Sequence, residues 1–248
     1  MIERAAEWIA AAENTVVFTG AGVSAESGIP TFRDAQTGMW AKYDPSRLAT
    51  VEGFLRDPRL VWEWYAYRRR LVREKEPNPG HEAIAELERW SDELTVVTQN
   101  VDGLHHRAGS TRVIELHGNI TRVKCFKGEH VYPDWRGSDN GEEELPPLCG
   151  ECGEMLRPDV VWFGEQLPED ALAESFRLAK NCGLMLVVGT SGQVQPAASL
   201  PVVARQAGAR VIEVNPEPSA ITPTADFLLR GNSGDMLPRV IEQLKKLK

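Results

Sequence analysis

The stretch TVVFTGAGVSAESGIPTFRD, residues 15–34, decides the fold class of this 248-residue chain. Its first five residues, 15–19, form an apolar and β-branched run that predicts a buried strand. Gly20 and Gly22 follow directly, before small residues that suit the start of a helix. Because small residues let a backbone approach a phosphate closely, the pattern favours a dinucleotide-binding turn. The glycines alone fit a strand-to-loop turn without a ligand equally well.

The spacing of this turn differs from that of an ordinary dehydrogenase. It is G-x-G-x-x-A, with Ala25 where a third glycine would stand. No clear second strand ends in an acidic residue about 20 positions further on. A plain oxidoreductase is therefore a weak hypothesis.

Similar strand patterns recur along the chain, at residues 94–98, 113–115, 184–188, 211–214 and 226–229. Helical patterns alternate with them, at residues 2–13, 60–73, 81–90, 170–180, 197–208 and 236–247. This alternation predicts an α/β fold with a Rossmann-like parallel sheet covered by helices. Two stretches, 30–79 and 120–158, interrupt the alternation and are interpreted as insertions. We expect a Rossmann-like domain of residues 1–30, 80–118 and 159–248, and a small domain made of a helical module, 31–79, and a zinc-ribbon-like module, 119–158.

Composition limits the classes of function. With 42% hydrophobic and 26% charged residues, the chain is expected to fold as one or two globular domains. A net charge of −8 argues against direct nucleic-acid binding and favours a basic substrate. Residues 1–12 predict an amphipathic helix, because Glu3, Arg4 and Glu7 interrupt the apolar positions. We expect a cytoplasmic protein that binds no membrane, and the oligomeric state is left open.

Polar strings follow two of the predicted strands. QNVDGLHHRAG, residues 99–109, comes after one, and VIELHGNI, residues 113–120, contains the next. On its own, Asn-x-Asp-Gly is a turn signal and a single histidine at a strand end is more often structural than catalytic. Together with residues 20–34, however, both strings resemble signatures of the sirtuin family, and this resemblance extends over nearly the whole chain.

The resemblance implies an NAD site at the carboxyl ends of the strands. It assigns His117 and Asn100 as catalytic residues, with His117 removing a proton from a ribose hydroxyl. Asn100 and Asp102 would form the nicotinamide pocket. The implied cofactor-binding residues are Gly20, Ala21, Gly22, Ala25, Phe32, Arg33, Gln99, Asn100, Asp102, Gly189, Thr190, Ser191, Asn215, Pro216, Glu217 and Ser233.

The helical insertion carries a candidate acyl pocket. Tyr65 and Arg68 stand three residues apart on one helical face, where a phenol and a guanidinium can receive a carboxylate. A solvated basic helix is the alternative, and Tyr67 with Arg70 repeats the spacing. Resemblance to class III sirtuins selects Tyr65 and Arg68 and implies acidic acyl chains on lysine.

A second candidate substrate site follows the other insertion. VVWFGEQLP, residues 160–168, is apolar enough to be simple core. It also resembles the segment with which sirtuins bind a substrate peptide, and this assigns Val161, Trp162, Phe163 and Glu165 to a peptide groove.

The cysteines predict a structural zinc site that lacks one expected ligand. Cys149 and Cys152 have C-x-x-C spacing, and Cys125 matches the first ligand of the family, but Gly128 stands in place of the second. His130 is the candidate fourth ligand, with Glu129 or water as weaker options, and loss of the metal is the alternative. Cys182 is expected to be a buried apolar residue.

The resemblance thus implies an NAD-dependent protein lysine deacylase, acting on acyl-lysine proteins or peptides. It would be a deacetylase and also a desuccinylase or demalonylase, and would release nicotinamide and 2′-O-acyl-ADP-ribose. A mono-ADP-ribosyltransferase and a catalytically silent NAD-binding module are the alternatives. The presence of both His117 and Asn100 argues against the silent module.

Overall fold

The predicted strands assemble into one sheet, and a second, smaller sheet accompanies it. The computed structural model describes residues 1–30, 44–91, 93–128, 130–133, 135, 137 and 145–247, with backbone alone at residues 45 and 46. The described residues form nine strands: β1 Asn14–Thr19, β2 Glu93–Thr98, β3 Val113–Glu115, β4 Gly118–Cys125, β5 Val131–Tyr132, β6 Leu156–Val160, β7 Leu184–Val188, β8 Arg210–Asn215 and β9 Phe227–Arg230.

The larger sheet has six parallel strands in the order β3-β2-β1-β7-β8-β9. From β1 the chain moves outward through β2 to β3, and it later returns to place β7 on the other side of β1. The order therefore reverses between β1 and β7. In open α/β sheets, ligands bind outside the carboxyl ends of the strands at such a reversal.

Helices cover both faces of the large sheet, which explains why its central strands are almost wholly apolar. Helices α1, α6 and α10 pack on one face, and α8 and α9 pack on the other. The helices are α1 Ile2–Ala10, α2 Gly22–Ala25, α3 Pro45–Leu48, α4 Val51–Arg56, α5 Pro58–Arg73, α6 Pro79–Leu87, α7 Leu104–Arg107, α8 Glu169–Asn181, α9 Leu200–Gln206 and α10 Ser233–Lys246. A 3-10 turn, Ala197–Ser199, precedes α9.

The two glycine turns at the reversal touch through their backbones. Gly22 N–H donates to Gly189 O at 2.8 Å. A Cβ on Gly22 would lie 2.8 Å from Gly189 Cα, and a Cβ on Gly189 would lie 2.3 Å from Val23 N. Gly189 also has a φ of +61°. Only glycine therefore allows the loops after β1 and β7 to meet here.

The smaller sheet is antiparallel, in the order β5-β4-β6. Helix α5 lies against β4 and β6, and its residues Trp64 and Tyr65 share a core with Ile120 and Val160. Asp57 caps α5 by accepting from Leu60 N–H at 3.0 Å, and Pro58 opens the helix.

The fold class is confirmed, and so is the position of each predicted strand within one residue at either end. The structure differs at several helix ends. The helices predicted at 2–13 and 81–90 end three residues earlier, at Ala10 and Leu87, the helix at 236–247 begins three residues earlier, at Ser233, and the helix at 197–208 begins as a 3-10 turn. The domain boundaries stay a prediction. Among the described helices, none combines the length and the apolar character needed to span a membrane.

Candidate functional site

The carboxyl ends of five parallel strands bring most of the predicted NAD residues to one edge. Gln99, after β2, donates from Nε2 to Thr190 Oγ1 at 3.0 Å, and Thr190 follows β7. Asn215, at the end of β8, donates from Nδ2 to Thr190 O at 2.9 Å. Side chains from three separate strands are thus connected through Thr190.

A buried polar network lies beside this edge and contains two of the predicted residues. Asn100 Nδ2 donates to Ser24 Oγ at 3.0 Å, and Ser24 Oγ donates to Asp102 Oδ2 at 2.7 Å. Asp102 Oδ1 accepts from Leu104 N–H at 2.9 Å. Burial raises the pKa of Asp102, and the hydrogen bonds from Leu104 and Ser24 partly offset that rise.

His81 completes the network from helix α6. Its Nδ1 accepts from Asn78 N–H at 3.3 Å, so the proton of the neutral ring is on Nε2, which lies 3.3 Å from Ser24 Oγ. Burial lowers the pKa of His81 to about 4. The ring is therefore neutral at pH 7 and donates to Ser24.

His117 follows β3 and is held in one tautomer. Its Nδ1 lies 2.8 Å from Gln99 O, and a carbonyl can only accept, so Nδ1 carries the proton. Nε2 then has the lone pair. Burial lowers the pKa of His117, while the bond to Gln99 O acts in the opposite direction. His117 is thus a neutral base at pH 7 with an oriented acceptor nitrogen.

The other predicted cofactor residues differ in accessibility. Small or polar exposed residues lie along the edge: Ala21, Ala25, Ser191, Pro216 and Glu217. Ser233 is buried instead, with its Oγ 3.3 Å from Glu26 Oε2. Phe32 and Arg33 lie outside the described residues.

The predicted acyl-pocket residues lie on α5 next to the small sheet. Tyr65 is 2% exposed, and its hydroxyl accepts from Trp162 Nε1 at 3.0 Å. The guanidinium carbon of Arg68 lies 5.6 Å from the ring centre of Tyr65. Burial raises the pKa of Tyr65, so the phenol stays protonated, whereas burial lowers the pKa of Arg68. The structure thus brings the phenol and the guanidinium together.

The predicted groove segment lies between the two sheets. Val161 N–H donates to His117 O at 2.9 Å, and Phe163 N–H donates to Ala49 O at 2.9 Å. Phe163 is 53% exposed, while Trp162 is buried. Glu165 points inward, since its carboxylate pairs with Arg157.

The three cysteines of the predicted zinc site converge with His130. The ligand atoms of Cys125, His130, Cys149 and Cys152 all lie within 4.8 Å of one another, and His130 Nδ1 is 3.4 Å from Cys149 Sγ. A tetrahedral zinc with bonds of about 2.0 to 2.3 Å needs ligand atoms about 3.5 to 3.8 Å apart. The separation of His130 and Cys149 is close to this range, and the four donors have the chemistry of a structural zinc site with three thiolates and one imidazole.

A hairpin explains why His130 replaces the missing cysteine. Gly128, at a φ of +80°, turns the chain after β4, and Cys125 N–H then donates to His130 O at 2.9 Å. His130 thus faces Cys125 across the hairpin, two residues beyond the position of the missing ligand.

Sequence reasoning missed Ser24 and His81. Ser24 resembles an ordinary turn residue in a glycine-rich loop, and His81 resembles a helix-capping residue. One available signal was the pair Asn78 and His81, which has the spacing of a capping box and brings a second polar residue to the first turn of α6.

Comparison with known proteins identifies the family. The model described as the Sir2 family matches residues 20–196. NAD-dependent protein deacylase 2 of Pyrobaculum aerophilum is 54% identical, and the alignment covers 97% of this chain and 95% of that protein. NAD-dependent protein deacylase of Pyrococcus abyssi is 51% identical, with 100% and 99% covered.

Solved structures agree with this result. A Sir2 homolog–NAD complex superposes with a TM-score of 0.90 at 45% identity and covers 99% of this chain and 95% of that one. A Sir2 protein bound to a myristoylated histone peptide gives a TM-score of 0.78 at 40% identity, with 99% and 97% covered. The glycine turn, the strand-end residues and these matches agree, and the chain belongs to the Sir2 family.

Proposed function

We propose that this chain is an NAD-dependent protein lysine deacylase in which His117 is the general base. The observation that carries the proposal is the fixed tautomer of His117. Its Nδ1–H bonds to Gln99 O at 2.8 Å and leaves Nε2 as the proton acceptor at the carboxyl edge of the sheet. Relatives named NAD-dependent protein deacylases, such as that of Pyrococcus abyssi, support this assignment.

The residues at the edge fit NAD. Ala21, Ala25 and Ser191 are small and exposed, so a ligand can approach the backbone of the turns after β1 and β7. Gln99 and Asn215 offer amides near the ribose side, and Asn100 with Asp102 suits a carboxamide. When bound, NAD supplies an electrophilic ribose carbon and nicotinamide as leaving group.

The chain's own groups then have distinct tasks. His117 Nε2 takes the proton of a ribose hydroxyl, which makes that oxygen a better nucleophile. Asn100, held by Ser24, and Asp102 orient the carboxamide of nicotinamide. Because Asn100 and Asp102 are buried, water has little access to this part of the site.

The substrate side lies between the two sheets. An acyl-lysine peptide runs along residues 161–165 as an added strand, where Phe163 is exposed and can contact it. Tyr65 and Arg68 receive an acidic acyl chain, since a protonated phenol and a guanidinium can both donate to a carboxylate. Cys125, His130, Cys149 and Cys152 would hold a structural zinc that stabilises the small sheet on this side.

Two further parts of the proposal rest on the sequence alone. We place the protein in the cytoplasm, and we expect no direct nucleic-acid binding at a net charge of −8. Cell fractionation and a DNA mobility-shift assay test these two statements.

A matched pair of peptides tests the activity. Purified protein is incubated with NAD and an acetyl-lysine or succinyl-lysine peptide, and nicotinamide release and peptide mass are measured. The wild type should remove both acyl groups. His117→Ala should lower turnover about 100-fold or more while NAD binding, followed by calorimetry, is retained. Wild-type turnover in this variant would rule out His117 as the base.

The matched control is His106→Ala, which removes a histidine outside the proposed active site. His106 is exposed on α7 and lies 3.8 Å from Glu115. Its substitution should leave turnover near the wild-type value.

A further inference from the structure

An ion pair between buried Arg157 and half-buried Glu165 lies at the end of the proposed peptide groove, outside the NAD edge. Arg157, on β6, is 3% exposed and donates from Nη1 and Nη2 to the two oxygens of Glu165, at 2.5 and 2.7 Å. Nη2 also donates to Val160 O at 3.0 Å. Burial raises the pKa of Glu165, but the bonds from Arg157 and Trp162 bring it below the ordinary value. The pair is therefore charged and bidentate.

Both members of the pair hold Trp162. Glu165 Oε2 accepts from Trp162 N–H at 2.8 Å, and the guanidinium carbon of Arg157 lies 3.4 Å from the centre of the indole. Gly164, at a φ of +88°, makes the turn that returns Glu165 to Trp162. The backbone and the ring of Trp162 are thus fixed by the same two side chains.

Trp162 connects the ion pair to the proposed acyl pocket. Its Nε1–H donates to Tyr65 Oη at 3.0 Å. That bond occupies one lone pair of the phenol oxygen and leaves the O–H of Tyr65 to donate to another group. The contacts run from the ion pair through the indole to the hydroxyl of Tyr65 in the proposed acyl pocket.

We infer that Arg157 and Glu165 are positioning residues that preset the peptide groove and, through Trp162, the hydroxyl of Tyr65. The inference rests on the proposed deacylase function. A buried ion pair is poor evidence for a stabilising role, because desolvation offsets much of the attraction. The effect of the ion pair should instead appear in peptide binding and acyl preference. NAD binding at the carboxyl edge of the large sheet should not change.

Kinetics with both peptides test the inference. Glu165→Gln keeps the size of the side chain and removes its charge, and Arg157→Lys keeps the charge and removes the bidentate contact. Each should raise the peptide KM about tenfold and leave the NAD KM and kcat within about twofold of wild type. Trp162→Phe leaves the ion pair intact but removes the bond to Tyr65, so it should lower the ratio of desuccinylation to deacetylation.

The control is an exposed ion pair of similar geometry. Glu174 pairs with Arg177 on α8 at 2.6 Å. Glu174→Gln should change none of the constants, and thermal unfolding of every variant identifies any that fails to fold. If one variant of the pair does not fold, the variant of the other member carries the test.

The outcomes distinguish failure of the positioning role from failure of the proposed function. An unchanged peptide KM, or an equal change in the constants for NAD and peptide, overturns the positioning role. A wild-type protein that releases no nicotinamide with either peptide overturns the proposed function instead.

Discussion

The two sheets of the molecule are held together by different means. The six-stranded sheet lies between two apolar layers, which include Val17, Leu186 and Ile212 on one face and Phe18, Val187 and Val211 on the other. The outer part of the three-stranded sheet has a much smaller core. That core consists of Trp62, Val123, Leu156 and two cysteines of the metal cluster, Cys125 and Cys149.

The two sheets therefore differ in what stabilises them and in how freely their polar residues can serve the chemistry. The large sheet is stable through burial alone, so the polar residues at its carboxyl edge can be arranged for NAD. The outer part of the small sheet buries little apolar surface, and a zinc ion bound by the cluster would supply a cross-link in place of a larger core. We therefore expect the large sheet to respond to changes in packing and the small sheet to respond to loss of metal.

Metal removal should have the largest effect. Structural zinc contributes on the order of 10 kcal/mol to the folding of small modules, so chelation or Cys149→Ser should unfold the small sheet. Deacylation should be lost, while far-ultraviolet circular dichroism retains the signal of the large sheet. Elemental analysis should give about one zinc per chain before chelation.

Cys182→Ala is the matched control for the thiol. Cys182 is buried beside the large sheet, away from the cluster, and burial raises its pKa to about 11. This variant should keep its zinc and its activity. Full activity in zinc-free protein would show that the small sheet does not need the metal.

The stability of the large sheet should be most sensitive to an added side-chain atom where the two glycine turns meet. In Gly189→Ala, the new Cβ would lie 2.3 Å from Val23 N at a φ of +61°. Gly189 directly follows β7 and Val23 lies in the short helix α2, so neither backbone can shift easily, and we expect a loss of roughly 3 kcal/mol or more in the free energy of unfolding. Denaturant unfolding measures it.

Gly208→Ala measures the cost of backbone strain without the steric clash expected at Gly189. Gly208 also has a positive φ, +98°, but a Cβ there meets nothing within 4 Å. The expected loss is only about 1 to 2 kcal/mol. Equal losses at both positions would mean that the contact between the turns carries no special constraint.

The sequence predicts the large sheet well and the small sheet poorly, for a physical reason. Residues 184–188 are continuously apolar, as a strand buried on both faces must be. Strand β6, Leu156–Val160, contains Arg157, Pro158 and Asp159, and strand β4 has a register shift between Asn119 and Val123. Neither shows the alternation that predicts a strand.

The same contrast holds for the site. His117 and Asn100 are predictable because they follow strands and belong to recognisable strings. The link from Asn100 to Asp102 through Ser24 is not, since it joins loops 76 and 78 residues apart that only the fold brings together. The choice of His130 as a ligand likewise depends on the hairpin between β4 and β5.

Substitution of Arg68 should have a smaller effect, and it tests whether the acyl pocket lies beside the small sheet. Arg68→Met removes the guanidinium beside Tyr65, so it should lower desuccinylation about tenfold or more relative to deacetylation. Arg70→Met tests the other register, in which Tyr67 and Arg70 have the same spacing. Equal loss of both activities in Arg68→Met, or a selective loss in Arg70→Met, would contradict the assignment of the pocket to Arg68.

The edge of the large sheet should also be sensitive to acid. His81 has a pKa of about 4 in the folded chain against 6.5 when unfolded, so between these values only the unfolded chain binds the proton. Stability should therefore fall as the pH decreases from 6.5 towards 4, by up to about 1.4 kcal/mol per pH unit from this residue. Unfolding of the wild type and of His81→Gln at pH 7 and pH 5 measures its share.

Glutamine suits this comparison because it also forms capping boxes and stays neutral. Protonation of the zinc ligands at low pH weakens the small sheet in both proteins, so that contribution cancels in the difference. His81→Gln should lose less stability between pH 7 and pH 5 than the wild type. An identical loss would show that His81 does not carry the acid sensitivity and would assign it to the metal cluster or to the other buried histidines, His105 and His117, whose pKa values burial also lowers.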